Sequence, residues 1–295
     1  MSMIRGVKRG FLLCAVFVTA GLACRLYALD LTVIGGAGNY SFDLTAKKPI
    51  GDGEFKGSLY PLGRISLSDR ISTTFSYSAT LERDPMLRNL LICEMTIESG
   101  FFKLSVGPLL GLFSTVETPL KPGVSAGVCL EFPGIIFFDL RGGASFGTIR
   151  EKGDYSLETS RIAFGFWLPN LVNTLSLTSQ RFDVALSNTL LTGDELLRIC
   201  NRVDIYAKNI PYTISIDIGY QVLKRSYDGQ SNGEDLFRSV FLGFETAITV
   251  RPNFTIRFGA EIPAFVWGKE PLARAKDRWF FQAFAGFTWT IEKTE

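Results

Sequence analysis

Residues 71–81 read Ile71-Ser72-Thr73-Thr74-Phe75-Ser76-Tyr77-Ser78-Ala79-Thr80-Leu81. Ile71, Phe75, Tyr77, Ala79 and Leu81 share one parity; Ser72, Thr74, Ser76, Ser78 and Thr80 share the other. A strand points successive side chains to opposite faces, so this stretch has an oily face and a wet face. Tyr212–Val222 repeats the pattern, with Tyr212, Ile214, Ile216, Ile218, Tyr220 and Val222 set against Thr213, Ser215, Asp217, Gly219 and Gln221.

Working outward from these two stretches predicts fourteen strands. They cover 30–42, 57–67, 71–82, 89–97, 101–113, 123–132, 135–147, 155–168, 171–183, 195–207, 212–225, 235–249, 254–267 and 278–291. Two classes of connection alternate between them. Tight ones carry turn chemistry: Ser68-Asp69-Arg70, Glu98-Ser99-Gly100, Pro133-Gly134, Pro169-Asn170, Asn209-Ile210-Pro211 and Arg251-Pro252-Asn253. Proline presets φ for a turn, and Gly and Asn tolerate positive φ. The others (43–56, 83–88, 114–122, 148–154, 184–194, 226–234 and 268–277) are longer and polar. An even number of strands with alternating short and long connections predicts an all-β fold, an antiparallel up-and-down barrel of about fourteen strands, with twelve as the alternative. Many of the strands exceed the 5–6 residues usual in a soluble sandwich. No internal domain boundary is visible.

The first 28 residues read as an export signal. Arg5, Lys8 and Arg9 form a basic start, and Phe11–Cys24 is an apolar run too short to span a bilayer as a helix. Cleavage after Ala28 leaves 29–295 as the barrel domain. Cleavage after Ala23 has the small Gly21 at −3 and places Cys24 first, which adds a lipoprotein alternative. Arg5, Lys8, Arg9 and Arg25 precede Leu29 with no acid, so 27 of the 31 Lys and Arg remain against 29 Asp and Glu, a net of −2. That balance offers no basic field for nucleic acid.

Histidine is absent. This removes Ser-His-Asp hydrolysis, Cys-His chemistry and His-based metal sites together, and the expectation is a non-enzyme with no cofactor and no metal. Cys93, Cys129 and Cys200 have no CxxC spacing and read as small wall residues, with one disulfide as the alternative allowed by export.

In a barrel that crosses a membrane the oily face meets lipid and the wet face lines the lumen. The wet parity then assigns to the lumen Arg64, Ser72, Thr74, Ser76, Lys103, Glu131, Asp139, Arg141, Arg161, Arg202, Asp204, Asp217, Glu245, Arg257 and Glu261. The opposed charges nearly balance, which predicts weak ion selectivity and cross-strand ion pairs bracing the wall. Amphipathic rings prefer membrane–water boundaries. Trp267 and Trp279 fall on the long-loop side, and Trp167, Tyr212 and Trp289 on the short-turn side, giving an expected girdle at each.

The last strand runs from Trp279 to Ile291. Its Gly286, Trp289 and Ile291 resemble the Gly-x-x-aromatic-x-hydrophobic signal of bacterial outer-membrane β-barrel proteins, with Phe284 where a polar residue is usual and four residues following. The resemblance implies an outer membrane of Gram-negative type, reading by the barrel-assembly machinery, and the lipid bilayer as a partner. Fourteen strands in this length resemble the small monomeric porins, which implies passive diffusion of small hydrophilic solutes. The fatty-acid transporter barrels carry an N-terminal plug for which this chain has no room before its first strand. The barrel enzymes of that membrane use a histidine that is missing here. Three alternatives stand beside the pore: a closed-lumen surface-exposed structural or adhesive barrel, a hydrophobic-solute transporter, and a lipidated periplasmic β protein.

Overall fold

The structure is a computed structural model that describes residues 28–38, 56–68, 70–81, 88–113, 120–147, 149, 154–185, 191–207, 210–227, 234–267 and 281–292. Residues 1–27 of the expected export segment, Cys24 among them, Trp279 and part or all of each longer connection lie outside these residues. Fourteen strands are present: β1 Ala28–Gly38, β2 Lys56–Ser66, β3 Ile71–Leu81, β4 Arg88–Ser99, β5 Phe102–Phe113, β6 Leu120–Phe132 and β7 Ile136–Ser145. The second half continues with β8 Tyr155–Leu168, β9 Leu171–Ala185, β10 Leu191–Tyr206, β11 Tyr212–Tyr227, β12 Glu234–Arg251, β13 Phe254–Trp267 and β14 Gln282–Glu292. Each pairs antiparallel with its sequence neighbours, and β14 pairs with β1 to close the barrel.

The tight turns form as their composition dictates. Gly100, Gly134 and Asn170 adopt positive φ (62°, 75° and 68°) in three of them, the region where Gly and Asn meet the least steric cost.

Side chains on strands that are not neighbours can meet only across the concave interior. Arg198 of β10 pairs with Glu261 of β13, Arg141 of β7 with Glu94 of β4, and Tyr155 of β8 with the Gly111 backbone of β5. These contacts fix which parity faces in. Register then carries the assignment round the wall: Arg202 lies opposite Asp217, Asp217 opposite Gly243, and Gly243 opposite Glu261.

The outward parity is the oily one. Ile136, Phe138, Leu140, Ile162, Phe164, Leu175, Leu177, Ile216, Ile218, Phe244, Ile256 and Phe258 are large apolar side chains left exposed. On β8 to β12 the first charged outward residues above the short turns are Glu158, Arg181, Glu195, Lys224 and Arg238. Below them the outward face of the described strands carries no charge except Arg251, which a bulge sets opposite Phe254 at the turn end of β12. From Leu171 to Ser179 a strand tilted as in outer-membrane barrels rises roughly 19–22 Å, close to the height of an apolar belt. Tyr220 and Trp267 pack at 5.9 Å between ring centroids near its upper edge. Phe254 and Phe287 stack at 5.8 Å towards its lower edge, where Tyr212 and Trp289 are also exposed.

Candidate functional site: the barrel lumen

Each inward side chain is placed by strand register, and the lumen divides into two storeys. The storey towards the short turns is polar and charged. Arg64 bonds Glu98 at 2.6 Å, and Lys103 bridges Glu98 at 3.6 Å and Glu131 at 2.7 Å. Arg141 donates from Nε to Asp139 at 3.0 Å and from Nη1 to Glu94 at 3.4 Å, while Arg161 stands 3.8 Å from Asp139. Glu94 is buried and also accepts from the Ser125 hydroxyl.

On the far wall Arg202 holds three carboxylates: Asp204 at 2.8 Å, Asp217 at 3.3 Å and Glu245 at 2.7 Å. Arg257 caps the other oxygen of Glu245 at 2.6 Å. The planar guanidinium forks suit this multidentate role. A cavity of about 230 Å³ lies in this storey, lined among others by Leu62, Thr74, Ser76, Glu94, Arg141, Arg161 and Thr178. A second, of about 210 Å³, opens near the short turns beside Arg64, Ser72 and Glu98.

The storey towards the longer connections is built round an apolar cluster, beside which Lys121, paired with Asp154 at 2.7 Å, Asp194, Gln221 and Ser239 are also buried. Leu109, Tyr155, Leu157, Phe182, Leu196, Leu223 and Phe237 form one cluster, with Leu90, Ile92, Val184 and Val266 packed against it. All are on the inward parity. Tyr155 and Phe237 are 0% exposed and Leu109 1%. β5 and β12 stand seven places apart in the ring of fourteen, on opposite walls. The cluster therefore reaches across the bore. Tyr155 buries its ring and donates its hydroxyl to the Gly111 carbonyl oxygen at 2.9 Å, tying β8 to β5. Tyr155→Phe is expected to lower stability by about 1 kcal/mol, the net worth of a buried hydrogen bond. Urea unfolding in micelles checks it, and a change below a few tenths means the hydroxyl does not brace the wall.

All fifteen residues assigned to the lumen from the sequence lie on the inward parity, and twelve enter this network; Ser72, Thr74 and Ser76 line the wall between them. Glu94, Glu98 and Arg198 were not singled out, although they share parity with residues that were. Arg198 joins two walls through Glu261 and stacks 4.0 Å over the Phe241 ring. Trp167 departs from the expected girdle. It shares the inward parity of Ala163 and Gly165 and packs 5.0 Å from Phe137, while Phe166 and Leu168 take the outward positions. Gly286 points inward at the β1–β14 seam, whereas Trp289 and Ile291 are outward. Cys93, Cys129 and Cys200 are free thiols. Among the described residues no group of three or more His, Cys, Asp or Glu side chains is placed to hold a metal.

No protein-family model and no curated protein matches the chain. Solved structures do. An outer-membrane channel from Pseudomonas putida F1 superposes with a TM-score of 0.50 at 8% identity, over 90% of this chain and 96% of that one. The fold is that of an outer-membrane β-barrel. Salmonella typhi OmpF in complex with daunomycin (TM-score 0.46, 9% identity, 90% and 97% coverage) and Vibrio cholerae OmpT without its loop L8 (0.46, 8%, 90% and 100%) also match.

Proposed function

We propose that this barrel sits in an outer membrane and passes small hydrophilic solutes passively, with the apolar storey as its restriction. The observation that carries the reading is the division of the lumen: a charged, cavity-bearing wall below an apolar cluster that crosses the bore. Apolar constrictions oppose water and ions by dewetting. Balanced charge on the wall supports weak ion selectivity. The uncharged outward belt and the barrel fold support the location, with the lipid bilayer and the barrel-assembly machinery as partners. The reading assigns no catalysis and no cofactor.

The closed arrangement also contains a built-in cost. Gln221 is fully buried and donates to the Ser239 hydroxyl at 2.9 Å, and among the described residues its Oε1 has no hydrogen-bond partner. An unsatisfied buried acceptor costs about 1–3 kcal/mol, which any opening that hydrates this layer recovers.

Planar-bilayer recording of the refolded protein tests the proposal. The parent is expected to conduct weakly, and Leu109→Ser with Phe237→Ser to raise single-channel conductance several-fold. A large steady parental conductance would show that the apolar storey is no barrier. A folded double variant that stays silent would favour the second reading, a closed-lumen structural barrel, which the same buried cluster supports.

A further inference from the structure

At the short-turn end the lumen wall holds donors that the ion-pair network does not use. The cavity of about 210 Å³ there is lined among others by Arg64, Ser66, Ser68, Arg70, Ser72 and Glu98. Ser66 and Ser72 stand opposite each other in register on β2 and β3. Ser72 is 4% exposed, and among the described residues its hydroxyl has no hydrogen-bond partner. Buried polar groups in native proteins are almost always bonded, so an orphan hydroxyl on a cavity wall calls for a ligand. The turn adds Ser68. Its Oγ accepts the backbone N–H groups of Arg70 at 3.3 Å and Ile71 at 3.1 Å, which leaves its own proton to donate. The same turn carries Arg70, exposed and, among the described residues, in no ion pair. Glu98 is already engaged: one oxygen takes Arg64 at 2.6 Å and the other Lys103 at 3.6 Å. The lining therefore offers two guanidiniums and three hydroxyls and no free carboxylate among the described residues. Asp30 stands opposite Arg64 on β1, and Asp69 separates Ser68 from Arg70 in the sequence. Excess charge is thus not what the cavity presents, and recognition rests on directed donors.

We propose that this cavity binds a phosphate group, as inorganic phosphate or as the terminal group of a phosphomonoester. Arg70 and the spare N–H groups of Arg64 donate to its oxygens, and Ser66, Ser68 and Ser72 supply hydroxyl donors from the wall and the turn. A tetrahedral oxyanion takes donors from both directions at once, whereas a carboxylate presents its oxygens in one plane. The site stands whether or not the lumen conducts, because it opens at the short-turn end, below the apolar cluster.

Thermal unfolding of the full-length barrel in nonionic micelles tests this directly. It is titrated with sodium phosphate, glycerol phosphate, sodium acetate or sodium chloride at matched ionic strength. Both phosphates are expected to raise the midpoint saturably, and acetate and chloride to leave it in place. Whichever phosphate acts at the lower concentration identifies the source. Arg70→Gln is expected to raise the half-saturating concentration roughly tenfold or more, as loss of a charge-assisted hydrogen bond implies. Ser72→Ala removes a hydroxyl with no partner to lose among the described residues. Without phosphate its midpoint should not fall, while its phosphate increment shrinks. Stabilisation by acetate or chloride equal to that by phosphate would overturn the proposal. So would a phosphate increment that neither variant changes. Bilayer conductance reads the pore separately, so either reading can fail alone.

Discussion

Arg202→Ala is expected to destabilise the folded barrel by about 2–3 kcal/mol. Among the described residues Arg202 is the single cation that touches Asp204, Asp217 and Glu245 together. Removing one partner of a buried ion pair leaves uncompensated charge, and this typically costs about 3–5 kcal/mol. The arginine side chain is 30% exposed, and solvent screening brings the figure to or below the lower end. Glu245 retains Arg257 at 2.6 Å, and Asp204 retains the Ser215 hydroxyl at 2.5 Å. Asp217 keeps only the long Cys200 contact at 3.8 Å among the hydrogen bonds and ion pairs described, so it carries most of the loss. Arg202→Lys should fall between parent and Ala, since an ammonium cannot reproduce the planar fork. Urea unfolding in micelles followed by tryptophan fluorescence reads both. An Ala variant within about 0.5 kcal/mol of parent would show that the wall network is solvated decoration.

Gly286→Val is expected to block closure of the barrel rather than merely weaken it. β14 is the last strand, and it must pair with β1 along its whole length from Gln282 to Glu292. A Cβ at Gly286 would lie 2.2 Å from the Val33 carbonyl oxygen and 2.8 Å from the Ile34 Cα. Those atoms are ladder backbone, so the neighbour cannot swing aside as a flexible side chain would. An unclosed barrel exposes two strand edges, whose unpaired backbone groups each cost several kcal/mol in hydrocarbon. The folded fraction after refolding into vesicles, read from heat-dependent electrophoretic mobility, should collapse. Thr288→Val is the control on the same strand. It removes only the hydroxyl contact to Thr32 at 3.0 Å, worth about 1 kcal/mol, and should still fold. A Gly286→Val barrel that folds like parent would show that the seam has room to spare.

Glycine meets a different need at Gly63, where the Phe75 ring lies over the backbone and a Cβ would stand 2.0 Å from its tip. The aromatic replaces the missing side chain on the outward face and covers the exposed ladder. Both glycines occupy strands whose alternation the sequence displays, but only the register brings each to its neighbour.

The strand count and the order of the connections were legible because both depend on local chemistry. The period-2 pattern in Ile71–Leu81 and Tyr212–Val222 needs no partner strand to be read. The Gly and Asn residues of the turns announce their positive φ in the same way. The charged wall was legible in composition, since Arg202, Asp204 and Asp217 alternate with apolar neighbours. Its bonding pattern was not, because Arg202 reaches Glu245 two strands away and Arg198 reaches Glu261 three strands away. Glu94 escaped notice for the same reason, being paired by Ser125 and Arg141 of β6 and β7, and Glu98 lies next to the turn and is joined to Arg64 from two strands away as well as to its neighbour Lys103.

The apolar storey was invisible for a different reason. Tyr155 and Leu157 share the parity of Arg161, and Leu223 that of Asp217, so the inward parity changes character partway along single strands. The signal present was an apolar residue on the wet parity near the long-loop ends. A strand read alone cannot say whether such a residue is stranded in a water-filled lumen or meets others across it. By itself the sequence determined an antiparallel barrel with an oily outside, a charged inside and no histidine chemistry, because alternation and composition are properties of the chain. Only the tertiary structure decided that the lumen is polar below and packed above. Leu109 and Phe237 come from opposite walls, and curvature of the closed sheet is what gathers them into one buried cluster.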